Sequence, residues 1–182
     1  MTAGGTGAVE IRPVRPEEYE EAGRVTADAY REFAGPDAAW QEYLVRLADV
    51  ADRVRRTIVL VAVDDGRVLG TVTLELEDRT DAGRQDAEGR PLAPGEAHVR
   101  MLGVAPEARG RGIGRLLMEA CLEEARRAGK TLITLDTTER MRVAQAMYRS
   151  MGFTREEDTV FPDGFVLMSY SLPLGPPSGA AV

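Results

Sequence analysis

The stretch from Glu96 to Thr138, EAHVRMLGVAPEARGRGIGRLLMEACLEEARRAGKTLITLDTT, constrains the fold more than any other part of this 182-residue chain. AHVRMLGV and TLITLDTT read as strands, and the amphipathic run between them reads as a helix that Gly129 closes at its C-terminal cap. A strand, a helix and a strand in that order imply a parallel, right-handed crossover. The chain therefore builds an α/β sheet around a parallel strand pair.

The flanking sequence adds elements on either side. VEIRPV is a short strand. RPEEYEEAGRVTADAYREF opens with Pro and acidic residues, as a helix N-terminus prefers, and places Tyr19, Ala22, Val25, Ala29 and Phe33 at helical spacing. Gly35-Pro36-Asp37 breaks that helix, and AAWQEYLVRLADVADRVRR predicts a second one with Trp40, Leu44, Leu47 and Val54 on its apolar side. TIVLVAVDDGRVLGTVTLEL changes to strand character around Asp64-Asp65-Gly66-Arg67, a hairpin signal. EDRTDAGRQDAEGRPLAPGE has no apolar period and predicts a long, mobile connection. After the parallel pair, MRVAQAMYRSMGF predicts a short helix stopped by Gly152. TREEDTVF and GFVLMSYSL then predict a final strand pair around Pro162-Asp163-Gly164. The Gly/Pro-rich ends predict flexible tails over 1–8 and 173–182, with one domain over 9–172 between them.

Composition excludes several classes. No uncharged apolar run approaches a membrane span, and the first residues lack the charge and apolar core of a secretory signal, so a cytoplasmic protein without membrane association is expected. Cys121 is the only cysteine, which excludes an internal disulfide and a cysteine-rich metal site and predicts core packing for that side chain. The formal charge of −7 opposes general nucleic-acid binding. Against that background a local run of arginines is informative.

That run lies at the entrance to the central helix, where three glycines alternate with Arg109, Arg111 and Arg115. Backbone N–H groups at such a place point toward an anion, and the helix dipole favours negative charge. Two anion motifs fail on spacing. A dinucleotide fingerprint beginning at Gly110 and Gly112 needs a glycine where Arg115 stands, and Gly129-Lys130-Thr131 mimics a P-loop tail but has Glu124 in place of the first glycine. What fits is Arg109-x-x-Gly112-x-Gly114. Without β-carbons, Gly112 and Gly114 let the chain close around phosphate oxygens, with successive N–H groups forming a nest. This pattern resembles the GNAT superfamily of N-acetyltransferases, in which [RQ]-x-x-G-x-[GA] binds the pyrophosphate of acetyl-CoA. A distant second segment is similar to the same family: Ala144, Met147, Tyr148, Gly152 and Phe153 match N-x-x-A-x-x-L-Y-x-x-x-G-F position by position. Met141 departs from it, standing where many members carry Asn.

The resemblance implies a mixed, mostly antiparallel sheet with a central, parallel, splayed strand pair and helices on both faces. It implies acetyl-CoA as cosubstrate, no metal, and direct transfer of acetyl to a primary amine through a tetrahedral intermediate. The phosphate grip would be Arg109, Gly110, Arg111, Gly112, Ile113, Gly114 and Arg115. Leu102, Gly103 and Val104 would pair with the pantetheine arm, the N–H near Leu102 polarising the thioester carbonyl, and Met141 and Ala144 would lie along that arm. Tyr148 matches the family's general acid. His98, the only histidine, occupies the strand position where many relatives carry a catalytic Glu, and histidine ordinarily titrates near neutrality. Glu96 and Asp136 are reserve bases.

The resemblance implies a small-molecule or peptide amine as acceptor. Acidic residues in the long connection, with Glu156, Glu157, Asp158 and Asp163, lean toward a cationic acceptor, although a solvated loop is the plainer reading. Dimers are common in the family, which leaves a homodimer open. The alternative function is a non-catalytic acyl-CoA-binding or sensing module, because the phosphate grip and the chemistry use different residues.

Overall fold

The computed structural model describes residues 8–33, 35, 38–77, 92–162 and 164–175. In chain order the elements are β1 (Glu10–Pro13), α1 (Tyr19–Arg31), α2 (Ala38–Ala48), α3 (Val50–Arg53), β2 (Ile58–Asp64), β3 (Arg67–Glu75) and β4 (Glu96–Val104). There follow α4 (Ile113–Arg127), β5 (Leu132–Thr137), α5 (Arg142–Ser150), β6 (Thr154–Arg155), β7 (Thr159–Val160) and β8 (Val166–Pro173). They make two compact units. The first takes the chain through Thr73 and again over Met101–Met118; the second has Leu74–Arg100 and everything from Glu119 onward. The greater part of the predicted mobile connection, 78–91, and the tail residues 1–7 and 176–182 lie outside the described residues.

In the first unit the strand order is β1-β2-β3-β4, and β1 runs antiparallel to β2 with Glu10 opposite Val63 and Pro13 opposite Leu60. The expected hairpin joins β2 to β3. Its two turn residues, Asp65 and Gly66, have φ of 50° and 76°, the doubly left-handed turn whose twist matches the flanking strands. Side chains on β3 alternate between two helices. Thr71 Oγ1 lies 2.6 Å from Thr26 Oγ1, so Thr71 faces α1. Its neighbour Gly70 faces the other way, where a β-carbon would come within 2.9 Å of Ile113 Cγ2 and 3.0 Å of Leu117 Cδ1 at the start of α4. Helices therefore cover both faces of this strand.

The single second helix expected from the sequence is two helices. Asp49 leaves the helical conformation (φ −83°, ψ 77°) and its carboxylate accepts the Asp52 N–H at 3.0 Å, capping α3. Aspartate competes in this way with the continuing helix ladder, which is why the apolar period survives the break while the backbone does not.

In the second unit the order is β3-β4-β5-β8-β6, with β7 also on β8. β4 and β5 are parallel, with Glu96 opposite Leu132 and Val99 opposite Leu135, as the crossover requires. β8 is antiparallel to β5 from Leu132↔Pro173 to Thr137↔Met168. The final strand pair is in fact three strands. Arg155 forks onto Asp158 at 2.9 and 2.6 Å, pinching the chain between β6 and β7, and both short pieces pair with β8. Beyond β8, Leu174 is buried and donates its N–H to Thr131 O at 2.8 Å, so ordered chain runs past residue 172. Cys121 is fully buried, and burial raises its thiol far above the ordinary range, which keeps it an inert packing group.

Arg12 and Glu18 tie β1 to the 3-10 turn that precedes α1 through a two-armed ion pair, Nη1 to Oε2 at 2.8 Å and Nη2 to Oε1 at 2.6 Å. The Arg12 hydrogen bonds lower the Glu18 carboxyl from 4.5 to about 2. A depressed acid stabilises the fold above its unfolded pKa and loses that contribution as pH falls through the folded one. Glu18→Gln should cost about 1 kcal/mol at neutral pH, or about 2–4 °C in Tm. In thermal unfolding the gap from wild type should shrink between pH 4.5 and about 2, whereas a pH-independent gap would remove the pair as its source.

Candidate active site

In the first unit the end of β4 feeds directly into the glycine–arginine loop. Met101 has φ of 53°, a left-handed conformation that a methionine adopts only under constraint, and it bends the strand just before Leu102, Gly103 and Val104. Gly103 has a packing reason of its own: a β-carbon there would lie 3.0 Å from Ala29 Cβ on α1. Ala105 returns its N–H to Leu69 O at 2.8 Å, and a 3-10 turn over Pro106–Ala108 leads to Arg109 in extended conformation.

Gly110 and Gly112 then take φ of 79° and 76°, and a β-carbon on either would meet no atom within 4 Å. The requirement for glycine here comes from the backbone conformation. Such alternation of left-handed residues turns successive N–H groups to one side. At the start of α4 the Leu116 N–H bonds Gly112 O at 3.1 Å, and the N–H groups of Ile113 and Gly114 lie in the first turn, ahead of that bond. Gly114 lies inside the helix, without a left-handed φ. The arginines carry carboxylate partners: Arg109 Nη2 meets Glu32 Oε1 at 2.6 Å, and Arg111 Nη2 meets Asp64 Oδ2 at 2.5 Å. The expected positive field is thus locally compensated.

In the second unit two faces of one sheet carry different chemistry. Glu96, His98 and Arg100 alternate onto one face of β4, and Thr134 and Asp136 onto the same face of β5, His98 standing opposite Thr134. Glu96 and His98 are buried. Thr134 Oγ1 donates to Glu96 Oε1 at 2.6 Å and lies 2.8 Å from His98 Nδ1. Glu96 Oε2 also accepts the Ala93 N–H at 2.9 Å. His98 Nε2 is 3.7 Å from Asp136 Oδ2, and Asp136 Oδ1 accepts the Ser169 hydroxyl. Arg100 extends this polar face to Glu75 at 3.4 Å. Glu96, His98 and Asp136 therefore come together in one network. Thr134 and Ser169 belong to it and carry no sequence signal; only the β4–β5 and β5–β8 registers reveal them.

Tyr148 lies on the other face. Its ring packs 6.1 Å from that of Tyr170 on β8 and 5.9 Å from that of Phe153, and Tyr170 stands opposite Leu135, whose side chain points away from Thr134 and Asp136. On this face Thr137 Oγ1 is buried with no hydrogen-bond partner among the described residues. Thr137 also lies past Leu135, the last residue of β5 paired to β4. Burial, and then the nearby Cys121, raise the Tyr148 hydroxyl well above its usual value. Met141 precedes α5 and accepts the Gln145 N–H at 3.0 Å, Ala144 is half-buried, and the buried Gln145 amide holds Thr138 O at 2.9 Å. Of the acidic residues set against a cationic acceptor, Glu156 binds Ser171 and Asp158 binds Arg155, while Asp163 lies outside the described residues. Among the described residues no cluster of three or more His, Cys, Asp or Glu could hold a metal, and no helix is long and apolar enough to cross a membrane.

Residues 16–153 match the model of the acetyltransferase (GNAT) family. The chain belongs to that family. A mycothiol acetyltransferase of Geodermatophilus obscurus is 30% identical over 81% of this chain and 45% of its own. The chain thus spans less than half the length of that relative. A glucosamine 6-phosphate N-acetyltransferase of Trypanosoma brucei brucei is 28% identical over 62% of this chain and 71% of its own. Among solved structures, the ribosomal-protein-S18-alanine N-acetyltransferase of Escherichia coli has a TM-score of 0.65 at 17% identity, covering 96% of this chain and 99% of its own. A Salmonella typhimurium protein described as an acetyltransferase, solved with its cofactor acetyl-CoA, has a TM-score of 0.64 at 19% identity, covering 97% of this chain and 98% of its own. These likenesses establish the GNAT fold.

A buried phenol whose pKa is raised stabilises the fold below its unfolded pKa of 10 and loses that contribution as pH rises above it. Wild-type protein should therefore lose stability relative to Tyr148→Phe above pH 10 and not below it. Denaturant unfolding of the two proteins between pH 8 and pH 11 checks this; parallel stabilities across about that range would mean the hydroxyl is solvated.

Proposed function

We propose that the protein transfers an acetyl group from acetyl-CoA to a primary amine by direct attack. The observation that carries this reading is the backbone at the entrance to α4, where Gly110 and Gly112 adopt positive φ and the N–H groups of Ile113 and Gly114 lie in the first turn, ahead of the Leu116 bond to Gly112 O. That is a seat for a pyrophosphate built from amide dipoles. The unpartnered, buried Thr137 hydroxyl beyond the last β4–β5 pair fits a polar, peptide-like arm in the same sense.

Acetyl-CoA supplies the activated acyl group, and the chain's residues do the rest. Arg109 to Arg115 hold the phosphates, chiefly through N–H groups. Leu102, Gly103 and Val104 offer backbone groups to the pantetheine arm, with Leu102 N–H directed at the thioester oxygen. Met141 and Ala144 flank the arm by contact alone, since methionine lacks the amide that the family pattern has there. His98 accepts the proton of the attacking amine within the Glu96–Thr134–Asp136 network, and Tyr148 donates a proton to the departing sulfur. The acceptor is a small-molecule or peptide amine; the relatives act on acceptors as unlike as a sugar phosphate and a ribosomal protein, by their names.

Titration calorimetry with CoA and acetyl-CoA, followed by a thiol-release assay over an amine panel, tests the reading. Tight binding with amine-dependent release supports it, and binding without release from any amine points to a sensing module. Gly112→Asp places a side chain and a like charge in a left-handed position facing the anion and should weaken CoA binding by about 100-fold while the fold persists. Unchanged affinity would remove the phosphate assignment. Tyr148→Phe should lower kcat by about 10²-fold with acetyl-CoA affinity intact. His98→Gln should abolish the enzyme-derived limb of the kcat/KM profile, measured with acceptors of different amine basicity. A wild-type profile would shift the base role to Glu96 or Asp136.

A further inference from the structure

We propose that Thr134 is a positioning residue that fixes the tautomer of His98, holding the proton on Nδ1 so that Nε2, the nitrogen toward Asp136, is the basic one. The inference deepens the role of His98 and, for its kinetic consequence, rests on the reading of His98 as base.

Proton counting carries it. A threonine hydroxyl has one proton to give. Thr134 Oγ1 has three acceptors or candidate acceptors in reach: Glu96 Oε1 at 2.6 Å, Ala97 O at 3.4 Å and His98 Nδ1 at 2.8 Å. The shortest contact, at 2.6 Å, is the one in which the hydroxyl donates to the Glu96 carboxyl oxygen. The hydroxyl proton therefore goes to Glu96. His98 Nδ1, at 2.8 Å from an oxygen whose proton is spent, then acts as the donor. A neutral imidazole has one N–H, so Nε2 keeps its lone pair.

The neighbourhood reinforces this direction. Asp136 Oδ2 lies 3.7 Å from Nε2, too far for a direct hydrogen bond, so that contact does not call for a proton on Nε2. Ser169 fixes Asp136 through the other oxygen. Arg100, on the same face of β4, is paired with Glu75. Glu156 accepts the hydroxyl of Ser171, the residue opposite Thr134 on β8, and donates its N–H to Ser169 O at 2.9 Å. The opposite direction has a definite signature: were Glu96 protonated, Thr134 would donate to Nδ1 and the proton would reside on Nε2.

Because His98 is the only histidine, ¹⁵N-histidine labelling of the full chain gives one imidazole, and long-range proton–nitrogen correlation reads its tautomer without assignment. The wild-type ring, at a pH where it is neutral, should show a protonated Nδ1 and an unprotonated Nε2. Thr134→Val, which keeps the shape and removes the hydroxyl, should move both nitrogens toward a tautomer average, and Thr134→Ser should restore them. A wild-type Nε2–H tautomer, a ring doubly protonated throughout the stable pH range, or nitrogen shifts unmoved in folded Thr134→Val would each overturn the proposal. The wild-type spectrum decides even if Thr134→Val does not fold. In the amine assay Thr134→Val should lower kcat/KM by about 10-fold, with rescue by Thr134→Ser and unchanged acetyl-CoA affinity. If the tautomer behaves as stated while His98→Gln is fully active, the relay stands and the base assignment alone falls.

Discussion

Four parallel pairs between β4 and β5, from Glu96↔Leu132 to Val99↔Leu135, set the terms for the rest of the second unit. Side chains alternate along a strand, so this register alone decides which groups meet. It places His98 beside Thr134 and brings Glu96 into reach of the same hydroxyl. A slip by one residue would turn Thr134 and Asp136 toward Tyr170 and present Ile133 and Leu135 to the histidine. The apolar packing of Ile133 and Leu135, both buried, therefore holds the polar network in register as firmly as its own hydrogen bonds do.

The same alternation separates the two groups proposed to handle protons. His98 and Asp136 occupy one face, and Tyr148 packs against Tyr170 on the other. On the proposed reading this matters physically. With the sheet between them the histidine and the phenol do not exchange a proton directly. Burial keeps the Tyr148 phenol neutral, and the buried His98 has its Nε2 3.7 Å from the Asp136 carboxylate.

Much of this architecture was legible in the sequence because it rests on local patterns. The crossover from AHVRMLGV to TLITLDTT, the Asp65-Gly66 hairpin and the glycines at 110 and 112 each encode a backbone conformation directly, and the structure shows all three. What was not legible depends on competition or on register. The break at Asp49 arises because a carboxylate wins an N–H from the helix ladder, and the division of β6 from β7 follows an Arg155–Asp158 pair; neither disturbs the apolar period. Thr134 and Ser169 sit 36 and 71 residues from His98 in sequence, so no spacing rule reaches them; they enter the site only when pairing partners are known. Their roles, and those of the residues read from motifs, stand as proposals with stated tests.

The arginines of the α4 entrance show how far charge counting misleads. On the page of the sequence, Arg109, Arg111 and Arg115 make a positive cluster in an acidic protein. In the fold, Arg109 meets Glu32 and Arg111 meets Asp64, whose Oδ1 is buried with no hydrogen-bond partner among the described residues. Withdrawing Arg111 to meet a phosphate would leave a largely buried carboxylate without its cation, a change that costs more than an exposed ion pair returns. On the proposed reading the cheaper arrangement keeps Arg111 on Asp64 and lets the anion meet backbone N–H groups at the left-handed glycines, since such dipoles are fixed in place before any ligand arrives. Anion recognition at this loop is, on that reading, a property of backbone conformation, and the left-handed Gly112, more than the arginines around it, is the part of the motif that the fold enforces.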